Sequence, residues 1–319
     1  MWVSKTKPRE KHSKMKKQPQ AQARPNFFIV GEPKCGSTTI HDMLDQHPEI
    51  FMSNPKEIGY FRTDISAKRW TLQEYLSIFS NVGDEKIVGE SSVNYMLSSD
   101  AAKNIFEFNK DAKILMLFRA PAEFLCSLHS QFVYNLMEKE EDFEKALDSS
   151  KPSDKVKIPL IMDYWERARF YYHAKRFFDI FPRENIMVMA YEKFAEDPSG
   201  TYEDILSFLG VEKRFIPEML HKNPNKHVRA KGIKQILDSI KITRIRRLLP
   251  QKIYGAGAAL FRKTIVRNTE RRQIALETEH KIRKRTRGQV RMLSELTGED
   301  FLSMWNYNTK AIDGEGEKS

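Results

Sequence analysis

Residues 27–39 read Phe27-Phe28-Ile29-Val30-Gly31-Glu32-Pro33-Lys34-Cys35-Gly36-Ser37-Thr38-Thr39. Four apolar residues run into a glycine, and a helical pattern then continues from Thr38 to Leu44 until Gln46-His47-Pro48 stops it. Strand, loop and helix in that order put the loop at the carboxyl end of a strand and the amino end of a helix. Main-chain N–H groups at such a helix end, joined by a lysine and three hydroxyls, match an anion the size of phosphate or sulfate. The spacing is not that of a Walker A loop, where lysine follows the second glycine. Here Ser37 follows Gly36, and the lysine stands at position 34.

The same format recurs along the chain. Lys86-Ile87-Val88-Gly89, Lys113 to Phe118 and Asn185 to Ala190 are further apolar runs of strand length, each lying between segments of helical period. Asp163 to Phe181 carries aromatics at helical spacing, Tyr202 to Leu209 ends at Gly210, and Arg271 to Trp305 is a long helical pattern with Gly298 near its end. Apolar strands separated by helices predict an α/β fold of three αβα layers around a central parallel sheet, P-loop NTPase-like, with ligands at the carboxyl ends of the strands.

Composition agrees with a folded chain. The protein has 319 residues, 40% of them hydrophobic and 11% aromatic, with 14 Gly and 14 Pro, which excludes a collagenous or wholly disordered chain. Cys35 and Cys126 are its two cysteines, too few for a disulfide framework or a four-cysteine zinc site, and no metal is expected. The net charge of +11 is unevenly spread. Residues 1–26 hold eight Lys or Arg against Glu10, without apolar periodicity, and read as a disordered basic arm. Residues 221–288 hold twenty Lys or Arg against Asp238, Glu270, Glu277 and Glu279, so the remainder is acidic. The basic residues lack aromatic interleaving, so a nucleic-acid partner is not expected. No apolar run is long enough to span a membrane and the start has no signal-peptide core, so the expected address is cytoplasmic.

Pro33-Lys34-Cys35-Gly36-Ser37-Thr38 resembles the 5′-phosphosulfate loop of sulfotransferases that use 3′-phosphoadenylyl sulfate (PAPS). A second signature follows a later strand: Phe118-Arg119-Ala120-Pro121 leads to Ser127, eight residues beyond Arg119, the family's spacing for the arginine and serine that hold the 3′-phosphate. Arginine offers a planar, permanently charged fork and serine adds a hydroxyl. The motif style is similar to that of glycan and bacterial sulfotransferases. The resemblance runs from about Phe27 to Trp305 and implies a sulfotransferase domain over 27–305, interrupted by a basic helical insertion at about 233–268 and followed by a flexible tail, 306–319. It implies PAPS as donor, bound by Lys34, Cys35, Gly36, Ser37, Thr38, Thr39, Arg119, Ser127 and Tyr191. Arg229, Lys231 and Gly232 resemble the late element that closes over the nucleotide, although Ala230 separates the first two.

Sulfuryl transfer needs a base on the acceptor and positive charge on the bridging oxygen. Lys34 can supply that charge. Lys56-Glu57, with Phe61 four residues on, resembles the stretch of glycan-type enzymes in which the glutamate is the base, and makes Glu57 the first candidate. Glu90, which follows a strand, is the second and His129 the third. Cys35, at a helix start beside Lys34, is placed to favour a thiolate, but Gly36 to Asp42 hold no arginine of the kind a cysteine-phosphatase loop needs, and Cys35 reads as a small loop residue. The expected acceptor is a hydroxyl or amine of a glycan, glycolipid or small metabolite. The 233–268 segment, with Lys241, Arg244, Arg246 and Arg247 among isoleucines and leucines, suggests peripheral contact with an anionic membrane. Two rivals stay open at this point: a P-loop kinase, which demands Mg²⁺-dependent ATP binding, and a non-catalytic protein that binds membranes or polyanions.

Overall fold

The structure is a computed structural model and describes residues 23–65, 70–135, 137–149, 160–213, 215–218, 225–228, 266–269 and 273–308. Strand β1 (Phe27–Gly31) lies at the middle of a five-stranded sheet in which β2 (Ile50–Met52), β3 (Ile87–Ser91), β1, β4 (Lys113–Phe118) and β5 (Ile186–Ala190) follow one another across the sheet. All the pairings are parallel. Every residue of β1 and β3 is buried, as expected for strands covered on both faces, and this is why they read as apolar runs. The expected α/β fold with a central parallel sheet is therefore the observed one.

Local sequence sets the flanking helices. Gly36 precedes α1 (Ser37–Leu44), and Thr71 opens α2 (Leu72–Ser77) with a capping box to Glu74. After α3 (Ala101–Phe108) and β4, Pro121 occupies the first turn of α4 (Pro121–Tyr134), where its missing N–H costs no hydrogen bond. α5 (Phe143–Ser149) follows. The single helix expected over Asp163–Phe181 is two: α6 (Tyr164–Arg167) and α7 (Phe170–Phe178), broken where Arg169 leaves helical geometry at φ −82°, ψ 51°. α8 (Tyr191–Glu196) begins directly after β5, and Asp197 then caps α9 (Pro198–Leu209), which ends on Gly210 at φ 74°. α10 (Leu276–Thr297) packs along α7 and α4 and stops at Gly298, φ 81°, before α11 (Phe301–Met304).

Two further strands, β6 (Asn225–Val228) and β7 (Val266–Thr269), form a separate antiparallel pair, with β6 against α4. The last residues of the 233–268 segment are thus strand, not helix. The rest of that segment, the basic arm through position 22, Arg229, Lys231 and Gly232, and the tail from 309 lie outside the described residues. Packed structure continues past Trp305: Tyr307 is buried, and its hydroxyl is 2.6 Å from that of Thr286.

Candidate active site

The loop from Gly31 to Gly36 is shaped by main-chain constraints. A Cβ on Gly31 would sit 2.4 Å from the Leu117 carbonyl of β4, so only glycine lets the loop leave β1 at this point. Lys34 and Gly36 are both left-handed, at φ 71° and 89°. No side chain caps α1, so the first-turn N–H groups, which have no partner inside the helix, have no side-chain acceptor either. That arrangement is open to an anion.

The strand ends bring the other groups to the same loop. Arg119, just past β4, donates to the Lys34 carbonyl at 3.3 Å and lies 4.7 Å over the Tyr191 ring. That ring also covers Gly36, where a Cβ would come within 3.3 Å of it. Arg119 is 7% exposed and its Nε is buried with no acceptor. A cleft of about 730 Å³ is lined by Lys34, Gly36, Ser37, Thr38 and Thr39 of the loop, by Arg119, Ser127 and Tyr191, and by Glu57. Nine of the residues singled out in the sequence therefore share one cavity.

Cys35 does not line it. Its side chain is fully buried, and burial pushes the thiol well above its ordinary pKa, with the Glu32 charge adding to the shift and Arg119 opposing it. The expected thiolate is thereby overturned, because the loop turns the sulfur into the core. His129 is likewise a core residue, its Nε2 2.9 Å from the Glu140 carbonyl and its ring against Phe143.

Glu57 sits on a segment docked against the end of β3. Its own residue is left-handed, at φ 58°, and its N–H donates to the Ser91 carbonyl at 2.9 Å. Two residues on, the Gly59 N–H donates to Ser92 Oγ at 3.1 Å, and the Phe61 N–H donates to the Tyr95 hydroxyl at 3.3 Å. Those two hydroxyls donate in turn to Glu90, at 2.7 and 2.6 Å, and Tyr75 donates to its other oxygen at 2.5 Å. Glu90 is thus fully buried, its oxygens occupied by three hydroxyls, and it does not line the cleft. It underpins the segment that carries Glu57, and the geometry gives it no access to an acceptor.

Glu57 is exposed as a residue, yet partial desolvation of its carboxyl in the cleft raises its pKa, opposed by the Lys56 charge, the Val93 N–H and the charges of Arg62 and Arg167. Lys56 also donates to Thr38 Oγ1 at 3.1 Å, joining the Glu57 segment to the loop. Burial lowers the Lys56 pKa, and the Glu57 charge pulls it back.

One feature near the loop left no trace in the sequence reading. Glu32 is fully buried and accepts from Arg167 Nη2 at 2.8 Å, while Arg167, 1% exposed, also donates to Asn94 Oδ1 at 3.2 Å. His173 lies 3.5 Å from Glu32 and 3.6 Å from Glu166. The partners are 135 residues apart in sequence, and no local pattern announces such a pair. Among the described residues no group of three or more His, Cys, Asp or Glu could hold a metal ion, and no helix is long and apolar enough to cross a membrane.

Comparison with known proteins supplies the family. The model of the sulfotransferase domain matches residues 24–239. The chain is similar to the membrane-associated sulfotransferase kil1 of Dictyostelium discoideum, 29% identical over 99 residues, covering 31% of this chain and 21% of that protein. It is 22% identical to rat carbohydrate sulfotransferase 15 over 249 residues, covering 59% of this chain and 44% of the relative. Mouse heparan sulfate glucosamine 3-O-sulfotransferase 5 is 22% identical over 207 residues, covering 63% of this chain and 58% of its own. The chain therefore spans less than two thirds of the length of these relatives. In fold it is similar to a sulfotransferase from Alicyclobacillus acidocaldarius, with a TM-score of 0.68, 24% identity, and coverage of 89% of this chain and 99% of the other. With the family model matched over more than half of its length, by a segment that contains the phosphate loop, Glu57, Arg119 and Ser127, the chain belongs to the sulfotransferase family.

Proposed function

We propose that the protein transfers a sulfuryl group from PAPS to a hydroxyl of a glycan or glycan-bearing acceptor. The observation that carries this reading is the cleft in which an uncapped helix end, Arg119 with Ser127, and the carboxyl of Glu57 meet. The residues fit the donor: the first turn of α1 with Ser37, Thr38 and Thr39 would hold the 5′-phosphate, and Arg119 with Ser127 the 3′-phosphate. The two carbohydrate-modifying relatives favour a glycan as acceptor.

The donor supplies a sulfuryl group on a phosphate leaving group. Glu57 accepts the acceptor's hydroxyl proton as the new O–S bond forms and the S–O bond to phosphate breaks, releasing adenosine 3′,5′-bisphosphate. Lys34 stabilises the charge that develops on the bridging oxygen, so the displacement needs no metal ion. Glu90 acts at one remove: through Ser92 and Tyr95 it fixes the main chain that aims Glu57. A P-loop kinase is disfavoured by Lys34, which precedes Gly36 where a Walker lysine would follow it.

Transfer of labelled sulfate from PAPS to a panel of oligosaccharides tests the reading. The parent protein is expected to label an acceptor without added Mg²⁺. A protein that labels none and fails to bind adenosine 3′,5′-bisphosphate is not a sulfotransferase of this kind.

A further inference from the structure

Among the described residues four cations line the cleft: Lys34, Arg62, Arg119 and Arg167. Under the reading above, Lys34 and Arg119 serve the donor. Arg167 is committed to Glu32 and Asn94. Arg62 differs from all three. Among the described residues it makes neither an ion pair nor a hydrogen bond, where Arg119 donates to the Lys34 carbonyl; its Nε, like those of Arg119 and Arg167, is buried without an acceptor. Its guanidinium lies against Gly59, where a Cβ would fall 2.4 Å from that Nε, so the absence of a side chain at position 59 lets the arginine fold back along the cleft wall. Arg62 lines the same cleft as Glu57, and its charge acts on the Glu57 carboxyl.

A guanidinium with no protein partner, in a cleft and next to the base, is open to a ligand that would also offset the cost of its buried Nε, whereas those of Arg119 and Arg167 are already engaged. We propose that Arg62 is an acceptor subsite for an anion, so the accepted substrate carries a carboxylate or sulfate near the hydroxyl that receives the sulfuryl group. This rests on the sulfotransferase reading and narrows its substrate class to acidic saccharides. The planar fork of arginine suits a bidentate contact with either group.

Matched acceptors test it: heparosan and chondroitin hexasaccharides, each beside its carboxyl-reduced neutral form, assayed with labelled PAPS. The parent protein is expected to favour the acidic member of a pair. Arg62→Gln should lower kcat/KM for that member about ten- to hundredfold, while affinity for adenosine 3′,5′-bisphosphate stays at the parent value, which also reports that the variant is folded. Gly59→Ala should act in the same direction by displacing the guanidinium. Equal use of the two members of each pair, a preference that survives Arg62→Gln, or no turnover of either acidic hexasaccharide by protein that binds the nucleotide would overturn the subsite. Loss of nucleotide binding by the parent would instead overturn the sulfotransferase reading on which it rests.

Discussion

The two halves of the cleft are built differently. The donor half is organised around main chain, with left-handed Lys34 and Gly36 and an uncapped helix end, to which an arginine pinned between a carbonyl and the Tyr191 ring is added. The acceptor half is made of side chains on a loop, Glu57 and Arg62, held from beneath by a buried cluster of Glu90, Ser92, Tyr75 and Tyr95. Main-chain donors cannot be changed by substitution and recognise any phosphate of the right size, which suits a donor common to many reactions. Side chains can be exchanged one at a time, which suits an acceptor that varies. Lys56 to Thr38 ties the two halves together, while Glu32 to Arg167 ties the donor loop to α6.

If the halves are separable, the largest effect comes from the acceptor side alone. Glu57→Gln keeps the shape and loses the proton acceptor, so turnover should fall about 10²–10⁴-fold with adenosine 3′,5′-bisphosphate affinity unchanged, as read by calorimetry beside the transfer assay. A parallel loss of nucleotide affinity would mean that the two halves cannot be separated.

The tie through Glu32 should matter for stability. Arg167→Met leaves a fully buried carboxylate with only His173 beside it and is expected to remove about 3–5 kcal/mol from the unfolding free energy in urea, and adding Glu32→Gln should restore much of it. If the single and double variants were equally unstable, the pair would not be the cause.

On the donor side Arg119→Ala should weaken adenosine 3′,5′-bisphosphate by about ten- to hundredfold while sparing adenosine 5′-phosphate, which lacks the 3′-phosphate. Equal losses for both nucleotides would remove Arg119 from that phosphate.

The smallest effect is in the pH profile. Glu57 must be ionised to take a proton, and partial desolvation in the cleft raises its pKa, so kcat/KM should climb with pH through an ionisation above the ordinary value of a free glutamate. Arg62 favours the ionised form, so Arg62→Gln should move that acid limb to higher pH. A shift to lower pH would contradict the placement of the charge.

The donor half was legible in the sequence because its determinants are contiguous: glycine, lysine and hydroxyls after β1, and Arg119 eight residues before Ser127 after β4. β2, only Ile50–Met52, is too short for a periodicity to show, and nothing at Ala168-Arg169 marks the break between α6 and α7, since neither glycine nor proline stands there. Glu57 was readable from its lysine neighbour, but separating it from Glu90 required the fold. Both are glutamates close to strand ends, and only the three hydroxyls converging on Glu90 set them apart. Arg62 was invisible for a similar reason: an arginine in polar sequence is ordinary until Gly59 and the cleft wall are seen to hold it.

The central claim is that the loop, Arg119 and Ser127 together form a site for a nucleotide phosphorylated at both 3′ and 5′ positions. Titrating the full chain with adenosine 3′,5′-bisphosphate, and separately with ATP and Mg²⁺, tests it most directly. The account predicts metal-independent binding of the bisphosphate, at least about tenfold tighter than ATP with Mg²⁺, from the additional charge-assisted contact at the 3′-phosphate. Tighter binding of ATP that depends on Mg²⁺, with no measurable binding of the bisphosphate, would contradict it.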